Sequence, residues 1–324
     1  MREDRTGTGL PAYRDLPRGV SGAGSGWGLF GDGDDLGLMN LQTPQRIVEA
    51  LRLARRGEVF SLSAPLDLFD PPFFGQRTPP RHTILPGSAR AFDDVLDNFY
   101  PQASSQIDSL GHIGAADGVF YGGATAAEIR SGRRNSIDAW ATKGIVGRGI
   151  VLDMAQQLGM GPGGEPRVGT RVPITVADLE SARARTGLTF QPGDVMLLHT
   201  GFVDWWSALG RDDRRAYVAD VRNAGLEQSE EMAEYLWDLH ISMVVVDNIA
   251  IEAWPPDQSE AAYPFGFLHT VLIGELGLAL GELWNLGPLA ADCRADGVHE
   301  CAVISAPIRT RAGVGSPANA LAIK

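Results

Sequence analysis

Residues 241–246 read Ile-Ser-Met-Val-Val-Val, apolar but for Ser242, which fits a strand covered on both faces. Such a strand obliges the rest of the chain to supply packing from two sides. A second run, residues 144–154, is buried in the same way and delivers Asp153 at its end, and a third, residues 195–199, follows Gly193-Asp194 and leaves through Thr200-Gly201. Helical patterns lie between these runs. Thr43 is a good N-cap with Pro44 in the first helical position, and Ile47, Leu51 and Ala54 fall at i, i+4 and i+7 before Gly57. Thr175 opens another helix, with Asp178 supporting its first turn. Residues 226–239 set Leu226, Met232, Tyr235, Leu236 and Leu239 on one stripe, which is core rather than a cofactor surface. Residues 58–66 read as a strand, residues 69–87 as a proline- and glycine-rich loop holding His82, and residues 90–97 as a short polar helix. No repeat appears. The alternation reads as one α/β domain over residues 27–324, preceded by an arm over residues 1–26.

Charge and cysteine narrow the function. With 28 basic and 40 acidic residues the net charge is −12, which argues against nucleic acid or an anionic membrane as the partner. Cys293 and Cys301 form no disulfide framework. No stretch approaches the ~18 to 20 apolar residues of a membrane helix, and the charged N-terminus lacks an apolar core, so the expectation is a cytoplasmic protein with a small-molecule substrate. Asp32, Asp34 and Asp35 lack the closing glutamate of a calcium loop, and the glycines of residues 155–174 make no nucleotide fingerprint.

Two separated stretches carry chemistry. The first, residues 102–112, reads Gln-Ala-Ser-Ser-Gln-Ile-Asp-Ser-Leu-Gly-His. Gln102, Gln106 and Asp108 leave one face if the segment is extended, and His112 joins them only if the chain turns after Asp108, as Ser109, Leu110 and Gly111 allow. The second stretch holds His269 on an apolar helix and Glu282 on an apolar strand beyond a break at Gly277. Charged groups in such settings are expensive unless paired or bound to metal. Taken singly, each has a bland alternative: a core histidine bonded to backbone, and an edge carboxylate facing water.

With both stretches in view the chain resembles the cyclase-like, metal-dependent hydrolases that include bacterial kynurenine formamidase and isatin hydrolase. Their signature, His-x-Gly-Thr-His-x-Asp-x-Pro-x-His, has the spacing of Gln102-x-Ser104-Ser105-Gln106-x-Asp108-x-Leu110-x-His112. Further matches run in order through Trp27-Gly28 to Asn40, Gly147-Arg148-Gly149 to Asp153, Gly193-Asp194 with Thr200-Gly201, Asp247 to Glu252, and His269 to Glu282. The first two signature histidines are Gln102 and Gln106 here. The resemblance implies a swivelling β/β/α fold, a mixed sheet curling toward a barrel with helices outside, and homodimers or homotetramers. It implies a divalent metal held by Gln106, Asp108, His269 and Glu282, with Gln102 as an extra ligand. Oxygen-rich ligation suits manganese better than zinc. His112 and Glu282 become the catalytic pair, and Trp27, Phe73, Phe74 and Tyr121 candidate walls of a substrate pocket.

The expected activity is metal-dependent hydrolysis of an amide, lactam or lactone of a small, aromatic or cyclic compound. Two alternatives remain open: a cyclase, dehydratase or isomerase using His112 and Glu282 without a tightly bound metal, and a small-molecule binder without turnover.

Overall fold

The apolar runs become the middle of one sheet. The computed structural model describes residues 8–159 and 168–324, and among these nine strands join in a single mixed sheet. In chain order they are β1 (Val59–Ser61), β2 (Gln106–Asp108), β3 (Ile145–Asp153), β4 (Val195–His199), β5 (Met243–Val246), β6 (Ala279–Glu282), β7 (Glu300–Ser305), β8 (Gly315–Pro317) and β9 (Ala320–Ile323). Across the sheet the order is β1-β9-β7-β3-β4-β5-β6-β2-β8. β3, β4, β5 and β6 run parallel, and every other pairing is antiparallel. The sheet curls as a half barrel with helices outside it, the architecture the family resemblance implies. Every residue of β4, β5 and β6 is buried, which is why these strands read as unbroken apolar runs.

Local signals set the helix starts. Oγ1 of Thr43 accepts from the Arg46 amide, with Pro44 opening the helix Pro44–Leu51. Thr175 and Asp178 close a reciprocal capping box on the helix Val176–Thr186. Two ends differ from expectation. The first helix stops at Leu51, which is 44% exposed, well before Gly57. Tight turns follow, and the Arg56 amide then donates to the Lys324 carbonyl, drawing the chain onto the C-terminal strand. The other helix is Glu230–Asp238, because Ser229 rather than Leu226 caps it, while Leu226 pairs with Ile174 in a two-residue bridge.

Residues 90–97 do not form a helix. Arg81–Ser88 and Ala91–Asp97 pair as an antiparallel hairpin in register from Arg81↔Asp97 to Ser88↔Ala91. Three aspartates among seven residues are poor helix formers, while Phe92 and Val95 favour a strand. Residues 58–66 are strand only over Val59–Ser61. The part of the arm at residues 8–26 is packed rather than extended: Leu10, Tyr13, Leu16 and Ala23 join the main core, and the Trp237 indole donates to the Pro11 carbonyl. Residues 1–7 of the arm, and Gly161, Gly163 and Gly164 of the glycine-rich loop, lie outside the described residues. No helix among the described residues is long and apolar enough to cross a membrane. Cys293 and Cys301 are free and buried.

Candidate functional site

The short strand β2 is clamped between β6 and β8, with Gln106 opposite Glu282 and Pro317, and Asp108 opposite Leu280 and Gly315. Side chains two apart share a face, and directly opposed residues on paired strands are neighbours. This register brings the Gln106 amide to Glu282, where Nε2 donates to Oε2 at 2.6 Å. Gln102 is not on the strand; it sits in a 3-10 turn, Pro101–Ala103, and its amide lies against Gly315, where a Cβ would collide with it. The chain does turn after Asp108. The His112 amide donates to the Ser109 carbonyl at 3.0 Å, and Nε2 of His112 comes within 3.5 Å of Oδ1 of Asp108.

His269 enters from the helix Leu268–Leu272, one turn before the Gly277 break that leads into β6. Its Nε2 lies 3.1 Å from Oε1 of Glu282 and 3.9 Å from Oδ2 of Asp108. Its Nδ1 lies 2.9 and 3.0 Å from the two oxygens of Glu252, and the Phe267 ring stacks on the imidazole with centroids 4.6 Å apart. Glu252 was not singled out among the sequence candidates. Its signal was a carboxylate that must be buried shortly after the Asp247-Asn248 strand end.

Asp108, His269 and Glu282 are all buried, and one ligand atom from each lies within 4.8 Å of the others. Burial, then the Glu282 charge, raises Asp108 well above the usual carboxylate range. Burial would lower His269, but Glu252 and Glu282 outweigh it and raise the imidazole. His112, 23% exposed at the edge of the cluster, is pushed down to about 3 by burial and by the charges of His269 and Arg77. It is therefore a neutral base at ordinary pH.

A cation fits this group. Oδ1 of Asp108 and Oε1 of Gln106 are buried acceptors with no hydrogen-bond donor. Such orphans are costly unless something positive faces them. Glu252 on Nδ1 of His269 is also the carboxylate–histidine arrangement that fixes a ligating imidazole.

His112 opens onto a cavity of about 660 Å³, bordered also by Ile113, Phe120, Tyr263 and Thr270. Of the aromatic residues expected to wall a pocket, Trp27, Phe73, Phe74 and Tyr121, none borders this cavity. Phe73 is 1% exposed and packs with Phe69, Phe202 and Trp206; Phe74 packs at a tilt against Trp254 with centroids 4.9 Å apart. Trp27 and Tyr121 border a cleft of about 250 Å³ that does not include His112. The indole of Trp27 donates to the Gly274 carbonyl, and the Tyr121 ring packs on Gly277 while its hydroxyl donates to Asp34.

Asp153 ends β3 and Asp247 directly follows β5, and both meet His199 at the end of β4 instead. Oδ1 of Asp153 is 3.0 Å from Nδ1 of His199, with Asp204 at 3.7 Å and Asp247 at 4.0 Å from Nε2. Asp247 also accepts the amides of Thr200, Gly201 and Phe202 at the start of a helix. Burial opposes the His199 charge, but these carboxylates raise it to about 10. Arg294 completes the network on Asp153.

The Cyclase family model matches residues 60–253. The crystal structure of a novel cyclase is 32% identical, covers 93% of this chain and 99% of its own, and superposes with a TM-score of 0.81. Isatin hydrolase A from Labrenzia aggregata, bound to benzyl benzoate, is 17% identical over 86% of this chain and 97% of its own, with a TM-score of 0.58. Isatin hydrolase A from Ralstonia solanacearum is 19% identical over 87% and 98%, with a TM-score of 0.57. The last two are likenesses of fold. No curated protein matches the chain.

Proposed function

The chain belongs to the cyclase family, and from that premise we propose that it is a hydrolase opening or cleaving an amide, lactam or lactone of a small aromatic or cyclic compound. Asp108, His269 and Glu282 would hold a divalent cation, with the carboxamide oxygen of Gln106 completing the set. The observation that carries this is the pair of buried acceptors, Oδ1 of Asp108 and Oε1 of Gln106, that make no hydrogen bond, with only Nε2 of His112 approaching the first of them, at 3.5 Å. Two carboxylates, a carboxamide and one imidazole suit a hard ion such as manganese better than zinc.

A divalent cation in such a site supplies polarisation of the scissile carbonyl and acidification of a water. The chain's own residues do the rest. Glu252 accepts from Nδ1 of His269 and so keeps Nε2 turned toward Asp108 and Glu282. Gln106 donates to Oε2 of Glu282 and so helps to fix its carboxylate. His112, neutral and bordering the cavity, takes the proton of the attacking water on an imidazole nitrogen and returns it to the leaving nitrogen or oxygen. Ile113 and Phe120 offer apolar surface to the substrate.

A second reading is favoured by the saturation of Glu282. Oε1 already accepts from the Ile251 amide at 3.0 Å and meets His269, while Oε2 accepts from Gln106. A site closed on itself in this way suits cyclisation, dehydration or isomerisation by His112 and Glu282 without metal. Turnover of N-formyl anilines, isatin and aromatic lactones before and after chelation separates the two. Hydrolysis abolished by chelation and restored by manganese supports the first reading; activity indifferent to chelation supports the second.

A further inference from the structure

We propose that Arg77 binds a carboxylate on the substrate, so that this site prefers organic acids to their neutral counterparts; the word substrate here rests on the enzymatic reading above. Arg77 lies in the loop of residues 69–80, which precedes the strand Arg81–Ser88 and belongs to the proline- and glycine-rich stretch of residues 69–87. Its backbone amide donates to the Phe74 carbonyl, and Phe74 holds a left-handed φ of 63°. The guanidinium stacks over the Phe74 ring at 5.1 Å from its centroid, and that ring packs on Trp254, two residues beyond Glu252. Nη1 donates to the backbone carbonyl of Gln102. The side chain is thus held from two sides, next to the residue that stands where the family signature has its first histidine.

Arg77 has no counter-charge, as Arg46, Arg171 and Arg214 have none, and what sets it apart from those three is its place beside the cluster of Asp108 and Glu282. Arg14, Arg18, Arg56, Arg134, Arg148 and Arg294 all pair with carboxylates. Among the described residues no carboxylate lies within the 4.0 Å that defines an ion pair for Arg77, although its charge is felt at Asp108, His112 and Glu282. A guanidinium carries five N–H donors, and the described protein accepts one of them. Asp108, Glu252 and Glu282 would repel an organic anion, so an acid could approach only beside a cation that is free to receive it. The planar fork of Arg matches a carboxylate with two parallel hydrogen bonds.

The test is calorimetric binding of 2-aminobenzoate and its neutral isostere 2-aminobenzamide to the full chain, with and without chelator. Wild type should bind the acid at least ~tenfold more tightly than the amide, Arg77→Gln should lose that preference, and Arg77→Lys should keep part of it. Unchanged melting temperatures in Arg77→Gln and Arg77→Lys exclude misfolding as the cause. Equal binding of the two probes, binding of neither, or a preference that survives in Arg77→Gln overturns the assignment. A preference that survives the substitution and vanishes on chelation gives the carboxylate to a metal, and also overturns it. Binding is read without turnover, so a protein that hydrolyses nothing yet prefers the acid through Arg77 sinks the hydrolase reading alone.

Discussion

Glu252 meets Nδ1 of His269 with both carboxylate oxygens, at 2.9 and 3.0 Å, and leaves Nε2 as the nitrogen that faces Asp108 and Glu282. The pair is buried, Glu252 coming from the segment after β5 and His269 from the helix Leu268–Leu272 that precedes β6. Glu252→Gln keeps the size and removes the charge that fixes the tautomer. It should weaken manganese binding ~10- to 100-fold while leaving the fold intact, measured by metal titration alongside circular dichroism. Unaltered affinity would show that Glu252 does not orient the imidazole.

His112 offers a base that burial keeps neutral down to a pH of about 3. His112→Gln should therefore lower kcat by ~10²- to 10⁴-fold with little change in KM. The acid limb of the wild-type pH–rate profile should lie well below the 6.5 of a free imidazole. A loss confined to KM would make His112 a binding residue.

His199 should govern stability in alkali. Its folded value, about 10, lies above the unfolded 6.5, so the folded state binds the extra proton between them. The stabilisation is fully present below about 6.5 and is lost as the pH rises through 10, on the order of a few kcal/mol for the buried network with Asp153 and Asp247. Chemical denaturation from pH 6 to 10 should show this decline in wild type and a flatter curve in His199→Gln. Equal slopes would remove His199 as the cause.

Gly277 breaks the chain between His269 and β6 with a φ of 68°. A Cβ there would stand 2.5 Å from the Tyr121 ring and 3.1 Å from Gly37. Gly277→Ala should cost about 2 kcal/mol or more, seen as a lower melting temperature. A neutral effect would mean that the Tyr121 ring moves freely.

These sites differ in how far the sequence reveals them. Buried strands announce themselves because every residue of β4 and β5 faces packing, and caps such as Thr43 and Thr175 act within one turn, so local reading finds them. The turn that returns His112 to Asp108 is also local. The hairpin of residues 81–97 escapes because both strands are largely exposed: no core imposes a period of two, and Phe92 remains 68% exposed. Arg77 and Glu252 escape for another reason. Each reaches the site from a loop across a large sequence separation, Arg77 to Gln102 and Glu252 to His269, and neither spacing has a period to detect.

The most direct measurement is the metal content and hydrolytic activity of wild type and Asp108→Ala, purified in parallel with manganese supplied. About one divalent ion per wild-type chain is expected, lost together with hydrolysis in the variant, because Asp108, His269 and Glu282 converge on one position. A wild-type chain that binds no ion, or an Asp108→Ala variant that keeps both ion and activity, would contradict this.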